Sequence, residues 1–574
     1  MKKFLIGLAA GLVLAGLALV ALLFAAMRVA EPRAVVPDDS TLVIGLEGDI
    51  PERPPMTLPF PALESRVAVT LQDVWLSLAE AAADPRIRAV VFEPAGVSAG
   101  WGKLQEIHSS LVRFKESGKP LVAYLRNPAT REYYLATAAD RIVMAPEDYL
   151  NLKGLRIEAM YLKGTLDKLG VDVEFEHAGR YKDAGDMFAR DSMRPETREV
   201  LNSILDSVFA HLIETVAAGR KRTEDQIRAA IDQGPFLAVK ARDLGLVDEL
   251  TYEDQTFDRI KSDLGLEEIR RVSHRVYSQA VLERRLSSPD PTIALVVGSG
   301  TILGGSGGDG LGDQDVVWSR DFVRLLGQVR DDSKVKGVIL RIDSPGGDAI
   351  ASDEILHEVR RLSEKKPLVI SMSDVAASGG YYIAMTGDPV VAYPNTLTGS
   401  IGVIYGKANL RGLYDKLGIK KEVLSRGRFA DIDSDYTALS PEGRAKLRES
   451  IDAIYRGFLA RVAEGRKLDV SKVEPLAEGR VWLGGQAHGN GLVDELGGLD
   501  VAVDLVKRKA GIAAGQRIRL LTYPARKSFW TYLLERSADS AVAARLREAF
   551  GGFDPRLLRA TGVLRLMPYR LVIQ

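Results

Sequence analysis

Two glycine-bearing turns are the places where this chain could do chemistry. The first is Asp343-Ser344-Pro345-Gly346-Gly347-Asp348 and the second is Ala376-Ala377-Ser378-Gly379-Gly380-Tyr381-Tyr382. Each follows an apolar run that reads as a strand, and the second opens an apolar helix. A serine at a strand-to-helix turn is well placed for nucleophilic attack, because the first N–H groups of a helix lack internal partners and can stabilise an oxyanion. The Gly379 N–H is one candidate donor, and the first turn can bring the Gly347 N–H alongside as a second. Small residues around Ser378 let a substrate backbone approach closely. A lone Ser-Gly-Gly also reads as a helix cap with packing glycines. Two such turns after successive strands bring the nucleophile reading level with it.

A serine nucleophile needs a base. The chain has six histidines, His108, His177, His211, His274, His357 and His488, and none lies on a strand-end turn close behind Ser378. A neutral lysine is the other common activator, and it requires desolvation to bring its pKa down from about 10.4. There is no cysteine, which excludes a thiol nucleophile, disulfides and Cys-ligated zinc. Lys plus Arg and Asp plus Glu both number 77, so a formal net charge of zero gives no reason to expect nucleic acid as a partner.

The elements that must position these residues occur twice. Lys119-Pro120-Leu121-Val122 reappears as Lys366-Pro367-Leu368-Val369, Asp167-Lys168-Leu169-Gly170 as Asp415-Lys416-Leu417-Gly418, and Gly245-Leu246-Val247-Asp248-Glu249-Leu250 as Gly491-Leu492-Val493-Asp494-Glu495-Leu496. The spacing stays near a period of about 248 residues, as expected of a tandem duplication. Residues 38–284 form one copy and 290–514 the other, with Ser287-Ser288-Pro289-Asp290-Pro291 as linker and 515–574 as a tail outside the repeat. In the second copy, strands are expected at 293–297, 337–342 and 367–371 and helices at 322–329 and 352–363. This βαβα alternation predicts an α/β fold with a largely parallel sheet. Residues 298–315, rich in Gly and Asp, are expected to form a mobile loop. In the tail, the stretches 529–534 and 541–550 are amphipathic, and core packing is the expected fate of both.

Residues 1–33 read as a cytoplasmic stub and a transmembrane anchor. The 23 residues Phe4 to Ala26 carry no charge, and as a helix they would span roughly 35 Å, enough for a bilayer core of about 30 Å. The run is longer than that of a cleaved signal peptide. Lys2 and Lys3 favour the cytoplasmic side for the N-terminus, which leaves the rest of the chain outside the cytoplasm.

The second copy resembles the signal peptide peptidase A family of serine proteases, and the whole duplicated, anchored chain looks like the long form of that family. The resemblance is carried, in order, by Asp343-Ser344-Pro345-Gly346-Gly347, Ala377-Ser378-Gly379-Gly380-Tyr381, Thr398-Gly399-Ser400-Ile401-Gly402 and Gly479-Arg480-Val481-Trp482, and it covers residues 40–510. It implies a sheet fold related to crotonase and the Clp protease. It further implies a Ser-Lys dyad with no metal or organic cofactor, and degradation of remnant signal peptides at a bacterial inner membrane with the catalytic part on the periplasmic side. A homotetramer is the implied assembly.

Short members of the family carry the lysine about fifty residues after the serine, in the same domain. That position is Ala430 in the second copy, and its counterpart in the first copy is Lys182. Conversely, the counterpart of Ser378 in the first copy falls at Thr130 or Arg131, without following glycines, and Ser400 aligns with Leu152. Each copy keeps half of a dyad, so Lys182 is expected to reach Ser378 across the interface between copies. Ser400 resembles the family serine that orients the lysine amine, and it reads equally as a turn residue. Asp183 and Asp186 lie close in sequence to Lys182 and would favour its charged form if they faced it. Two other classes are compatible with such a chain: a crotonase-like acyl-CoA enzyme, and a non-catalytic membrane scaffold.

Overall fold

The computed structural model of the chain describes residues 34–53, 69–286, 288–307, 316–525 and 563–567, together with Gly11 and Ile573. The apolar N-terminal run and the amphipathic stretches at 529–534 and 541–550 lie outside the described residues.

Short apolar runs such as Ile293–Val297 are buried on both faces, the pattern of a parallel strand covered by helices on each side. They assemble into two sheets with the same spatial order. In the first copy the order is Glu249–Leu250, Arg141–Met144, Leu121–Leu125, Ile87–Val97, Ser40–Gly48, Arg270–Ser273, with every pair parallel. In the second copy it is Glu495–Leu496, Val390–Ala392, Leu368–Ala377, Val335–Ser344, Thr292–Ser299, Arg519–Tyr523, again all parallel. Arg519–Tyr523 occupies the edge that Arg270–Ser273 occupies in the first sheet, so the pairing pattern of the repeat runs on past residue 514. Leu397–Gly399 also pairs with Leu368–Ala377, and Val481–Leu483 joins it antiparallel.

The two expected helices of the second copy are found as Ser319–Asp331 and Ala349–Lys365. The latter starts earlier than the apolar periodicity suggests because Asp348 Oδ1 caps it, accepting from the Ala351 N–H at 2.7 Å. The expectation of a loop over 298–315 is corrected at its start. Thr301–Leu303 is a strand, pairing parallel with Val316–Trp318 and, at Ile302, with Gly347. Its β-branched Thr-Ile pair sits among glycines, and burial of Ile302 and Leu303 decides its conformation. Residues 308–315 lie outside the described residues.

A third sheet joins the copies. Its order is Val316–Trp318, Thr301–Leu303, Gly346–Asp348, Leu564–Leu566, Val403–Asn409, Asp172–Ala178. The last pair is antiparallel over its full length, from Val403 opposite Ala178 to Asn409 opposite Asp172. A strand of the first copy is thereby built into the second.

The 26-residue helix Pro195–Arg220 is long and apolar enough to cross a membrane by length and composition alone, with 44% of its apolar window buried in the fold. Its inward face, Val200, Ile204, Val208, Leu212 and Val216, packs into the core of the first copy. It is an amphipathic core helix of the usual kind.

Candidate active site

Ser378 directly follows the strand Leu368–Ala377 and precedes the short helix Gly379–Tyr382. Its backbone has φ 55° and ψ −114°, a region that non-glycine residues seldom occupy and that costs on the order of 1–3 kcal/mol. The conformation is held from both sides: the Ser378 N–H donates to Gly399 O at 2.8 Å, and Ser378 O accepts from the Tyr382 N–H at 2.8 Å. Ser378 is fully buried.

The first glycine turn lies against it. A Cβ added at Gly379 would sit 3.1 Å from Gly347 N, so the two glycine amides are close neighbours. Gly347 has φ 157°, and a Cβ there would collide with the Ile302 carbonyl. The position therefore accepts only glycine.

Lys182 arrives from the first copy. The strand Asp172–Ala178, locked onto Val403–Asn409, delivers the chain to a turn at Gly179, where φ is 108°. The Tyr181 N–H donates to Glu478 O at 2.8 Å, which fixes the turn to the second copy. From there Lys182 Nζ donates to Ser378 Oγ at 2.8 Å, to Ser400 Oγ at 2.9 Å and to Ser400 O at 2.9 Å. Lys182 and Ser400 are fully buried. The five residues singled out in the sequence, Ser378, Lys182, Ser400, Gly347 and Gly379, thus converge on one place. Ala430, the repeat counterpart of Lys182, is exposed to solvent.

The two carboxylates beside Lys182 in sequence have other partners. Asp183 Oδ2 accepts from the Thr197 hydroxyl, and burial pushes its carboxyl up to about 6. Asp186 accepts from Arg194 Nε at 2.6 Å. A contrasting buried lysine lies nearby: burial works to lower Lys103, but Asp343, Asp374 and Glu52 outweigh it and hold its ammonium above the ordinary lysine range.

Two further parts of the site hold these residues in place or cover them. Glu478–Arg480 is a bracket: Glu478 O holds Tyr181, Arg480 O accepts from the Ser400 N–H at 2.7 Å, and the Gly479 N–H donates to Ile401 O at 2.8 Å. The Gly479-Arg480-Val481-Trp482 motif was a signal for it, since a glycine at φ 77° marks a turn. The strand Leu564–Leu566 lies between Gly346–Asp348 and Val403–Asn409, antiparallel to both, with Arg565 opposite Gly347. Its Leu-Arg-Leu alternation is too short to be read as a strand from sequence.

The equivalent place in the first copy is filled. Glu132, in the helix Thr130–Ala136, accepts from the Val97 N–H at 2.6 Å, and the Ser400 counterpart Leu152 is fully buried.

Two segments, 113–267 and 360–513, match the model of peptidase family S49. The chain is 34% identical over 502 residues to the chloroplastic serine protease SPPA of Arabidopsis thaliana, covering 86% of this chain and 73% of that protein. It is 32% identical over 504 residues to protease 4 of Salmonella typhi, covering 85% and 79%. Protease 4 of Haemophilus influenzae is 32% identical over 450 residues, covering 75% and 72%.

Proposed function

The chain belongs to peptidase family S49, in the long form with two copies of the domain, and from that premise we propose a membrane-anchored endopeptidase that works through a Ser378–Lys182 dyad completed across the two copies. The observation that carries this reading is the 2.8 Å hydrogen bond from Lys182 Nζ to Ser378 Oγ.

A lysine acts as a base only when neutral, and removal from water disfavours the ammonium. Lys182 is fully buried with three neutral oxygens around its Nζ. As a neutral amine it gives its two N–H groups to the Ser400 hydroxyl and carbonyl and turns its lone pair to the Ser378 hydroxyl proton. The amine takes the proton from Ser378 Oγ as that oxygen attacks the substrate carbonyl carbon. The carbonyl oxygen becomes an oxyanion, held by the N–H groups of Gly347 and Gly379. Collapse of the tetrahedral adduct breaks the C–N bond, and the Lys182 ammonium returns its proton to the leaving amine. Lys182 then deprotonates the water that hydrolyses the acyl ester and frees Ser378. Ser400, through its hydroxyl and its carbonyl, aims the amine. The residues supply both proton transfers and the oxyanion contacts, so the scheme needs no metal or organic cofactor.

The substrate is an extended peptide that lies as a strand in the slot between Gly346–Asp348 and Val403–Asn409, where main-chain pairing gives affinity. The segment Leu564–Leu566 stands in that slot and must leave before a peptide enters. Cleaved signal peptides suit such a site, being apolar and resident in the membrane that the N-terminal run would occupy. This reading places the catalytic part on the periplasmic side of a bacterial inner membrane, in a homotetramer of crotonase-like and Clp-like folds whose enclosed sites exclude folded proteins.

The test is turnover by full-length protein in lipid vesicles. Apolar signal-peptide sequences should be cut and a folded soluble protein left intact. Cleavage of neither, with the protein folded, would remove the endopeptidase reading.

A further inference from the structure

The first copy contributes more than a lysine to the second. Its helix Trp101–Lys115 corresponds in the repeat to Ala349–Lys365, and the position of the capping residue Asp348 is taken by Gly100, which offers no side-chain cap. The missing cap comes from the other copy. Asp374 Oδ2 accepts from the Gly100 N–H at 2.8 Å, and Asp374 Oδ1 accepts from the Lys103 N–H at 2.7 Å. A carboxylate at a helix N-terminus satisfies orphan donors and meets the positive end of the helix dipole. The approach is close: a Cβ at Gly100 would sit 2.5 Å from the Asp374 carboxyl carbon, and one at Gly102 would sit 3.0 Å from Ser373 O.

The same helix reaches the other turn of the site. Lys103 Nζ lies 2.8 Å from Asp343 Oδ2 and 3.9 Å from Asp374 Oδ2. Asp343 Oδ1 in turn accepts from the Val375 N–H at 3.1 Å. Asp343 opens the turn that carries Gly347, and Asp374 lies on the strand that ends before Ser378. One buried ammonium therefore ties the oxyanion turn to the nucleophile strand. Behind it, fully buried Arg341 of the second copy pairs with Glu52 at 2.9 Å and with Glu106 at 2.7 Å, both from the first copy.

We infer that Lys103, with the Asp374-capped start of its helix at Gly100, is a positioning device that fixes the Gly347 turn relative to Ser378 by clamping Asp343 and Asp374 across the copy interface. The clamp rests on the reading of Ser378 as nucleophile and of Gly347 as oxyanion donor. It extends the dependence of the second copy on the first from proton transfer to oxyanion geometry. A purely architectural ion cluster would affect melting, whereas the clamp acts on the transition state. A small displacement of the donors costs rate without weakening ground-state binding.

The experiment compares full-length wild type with Lys103→Met/Asp343→Asn, which removes both charges of the central pair while the backbone N–H groups at 100 and 103 still hold Asp374 and Arg341 still holds Glu52, and with Gly100→Ala, which pushes on Asp374. Each is assayed for kcat and KM on a fluorogenic peptide, for acylation of Ser378 by a serine-reactive probe, and for melting temperature. The expected result is a fall in kcat of about 100-fold for the double variant, the scale of losing one oxyanion donor. Acylation should slow in parallel, with KM little changed and a cooperative melt retained. Gly100→Ala should fall in the same direction by less. A folded double variant with wild-type kcat and acylation rate would overturn the clamp alone, and so would a loss confined to KM. Absence of wild-type labelling at Ser378 would instead overturn the nucleophile assignment and the clamp with it.

Discussion

Ser400→Ala isolates the part of the site that aims the base. The hydroxyl accepts a hydrogen bond from Lys182 Nζ at 2.9 Å, and the Ser400 carbonyl contact, also at 2.9 Å, survives the substitution. The amine thus keeps its contacts to that carbonyl and to Ser378 Oγ. A lost hydrogen bond at a fully buried group costs about 1–3 kcal/mol, which corresponds to roughly 5- to 150-fold in rate if it is expressed wholly in the transition state. Retention of the carbonyl contact puts the expectation in the lower half of that range, about 10- to 30-fold in kcat. The sign on pH follows from charge. A hydroxyl acceptor stabilises the ammonium more than the amine, so its removal should move the ionisation that controls acylation to lower pH. Single-turnover acylation of Ser378 across pH, on protein shown to melt like wild type, reads both effects. A kcat within twofold of wild type with an unshifted profile would refute the orienting role and leave Ser400 as a turn residue.

Asp183→Asn should stabilise the fold at neutral pH. The folded carboxyl sits near 6 against an ordinary value of 3.8, raised by burial. Below the ordinary value the group is protonated in both states and has no effect; between the two, the folded state holds the extra proton; above both, the full cost is present. Two units correspond to about 3 kcal/mol, so denaturant melts at pH 8 should show a gain approaching that size that vanishes near pH 4. Gly347→Ala should abolish turnover and lower the melting temperature, because its Cβ has no space beside the Ile302 carbonyl; a normally active variant would show that the turn can rearrange. A chain ending at residue 562 should acylate at Ser378 faster than wild type with a small probe, since it vacates the slot beside Gly347; an unchanged rate in a folded truncation would show that the strand Leu564–Leu566 does not obstruct the site.

The duplication and the sheets were legible because long apolar runs and repeated motifs are local signals, and parallel strands buried on both faces leave an apolar imprint in the sequence. The meeting of Lys182 with Ser378 was legible by alignment of the two copies, each of which lacks what the other keeps, whereas Gly347 and Gly379 were read from their turns and Ser400 from the family resemblance. What escaped the sequence was contact between distant segments. The pairing of Asp172–Ala178 with Val403–Asn409 leaves no local trace in either strand. Asp374 reads as an ordinary polar residue until Gly100 is seen to lack a cap. Where Asp183 and Asp186 point depended on Thr197 and Arg194, which the sequence gives no reason to choose.

The most direct test of the account is the rate of Ser378 acylation by a serine-reactive probe as a function of pH, in wild type, Ser378→Ala and Lys182→Ala. The expected result is that both substitutions abolish labelling, and that wild-type labelling rises through a single ionisation well below about 10.4, the ordinary lysine value. Normal labelling of Lys182→Ala would contradict the account, since the base would then lie elsewhere.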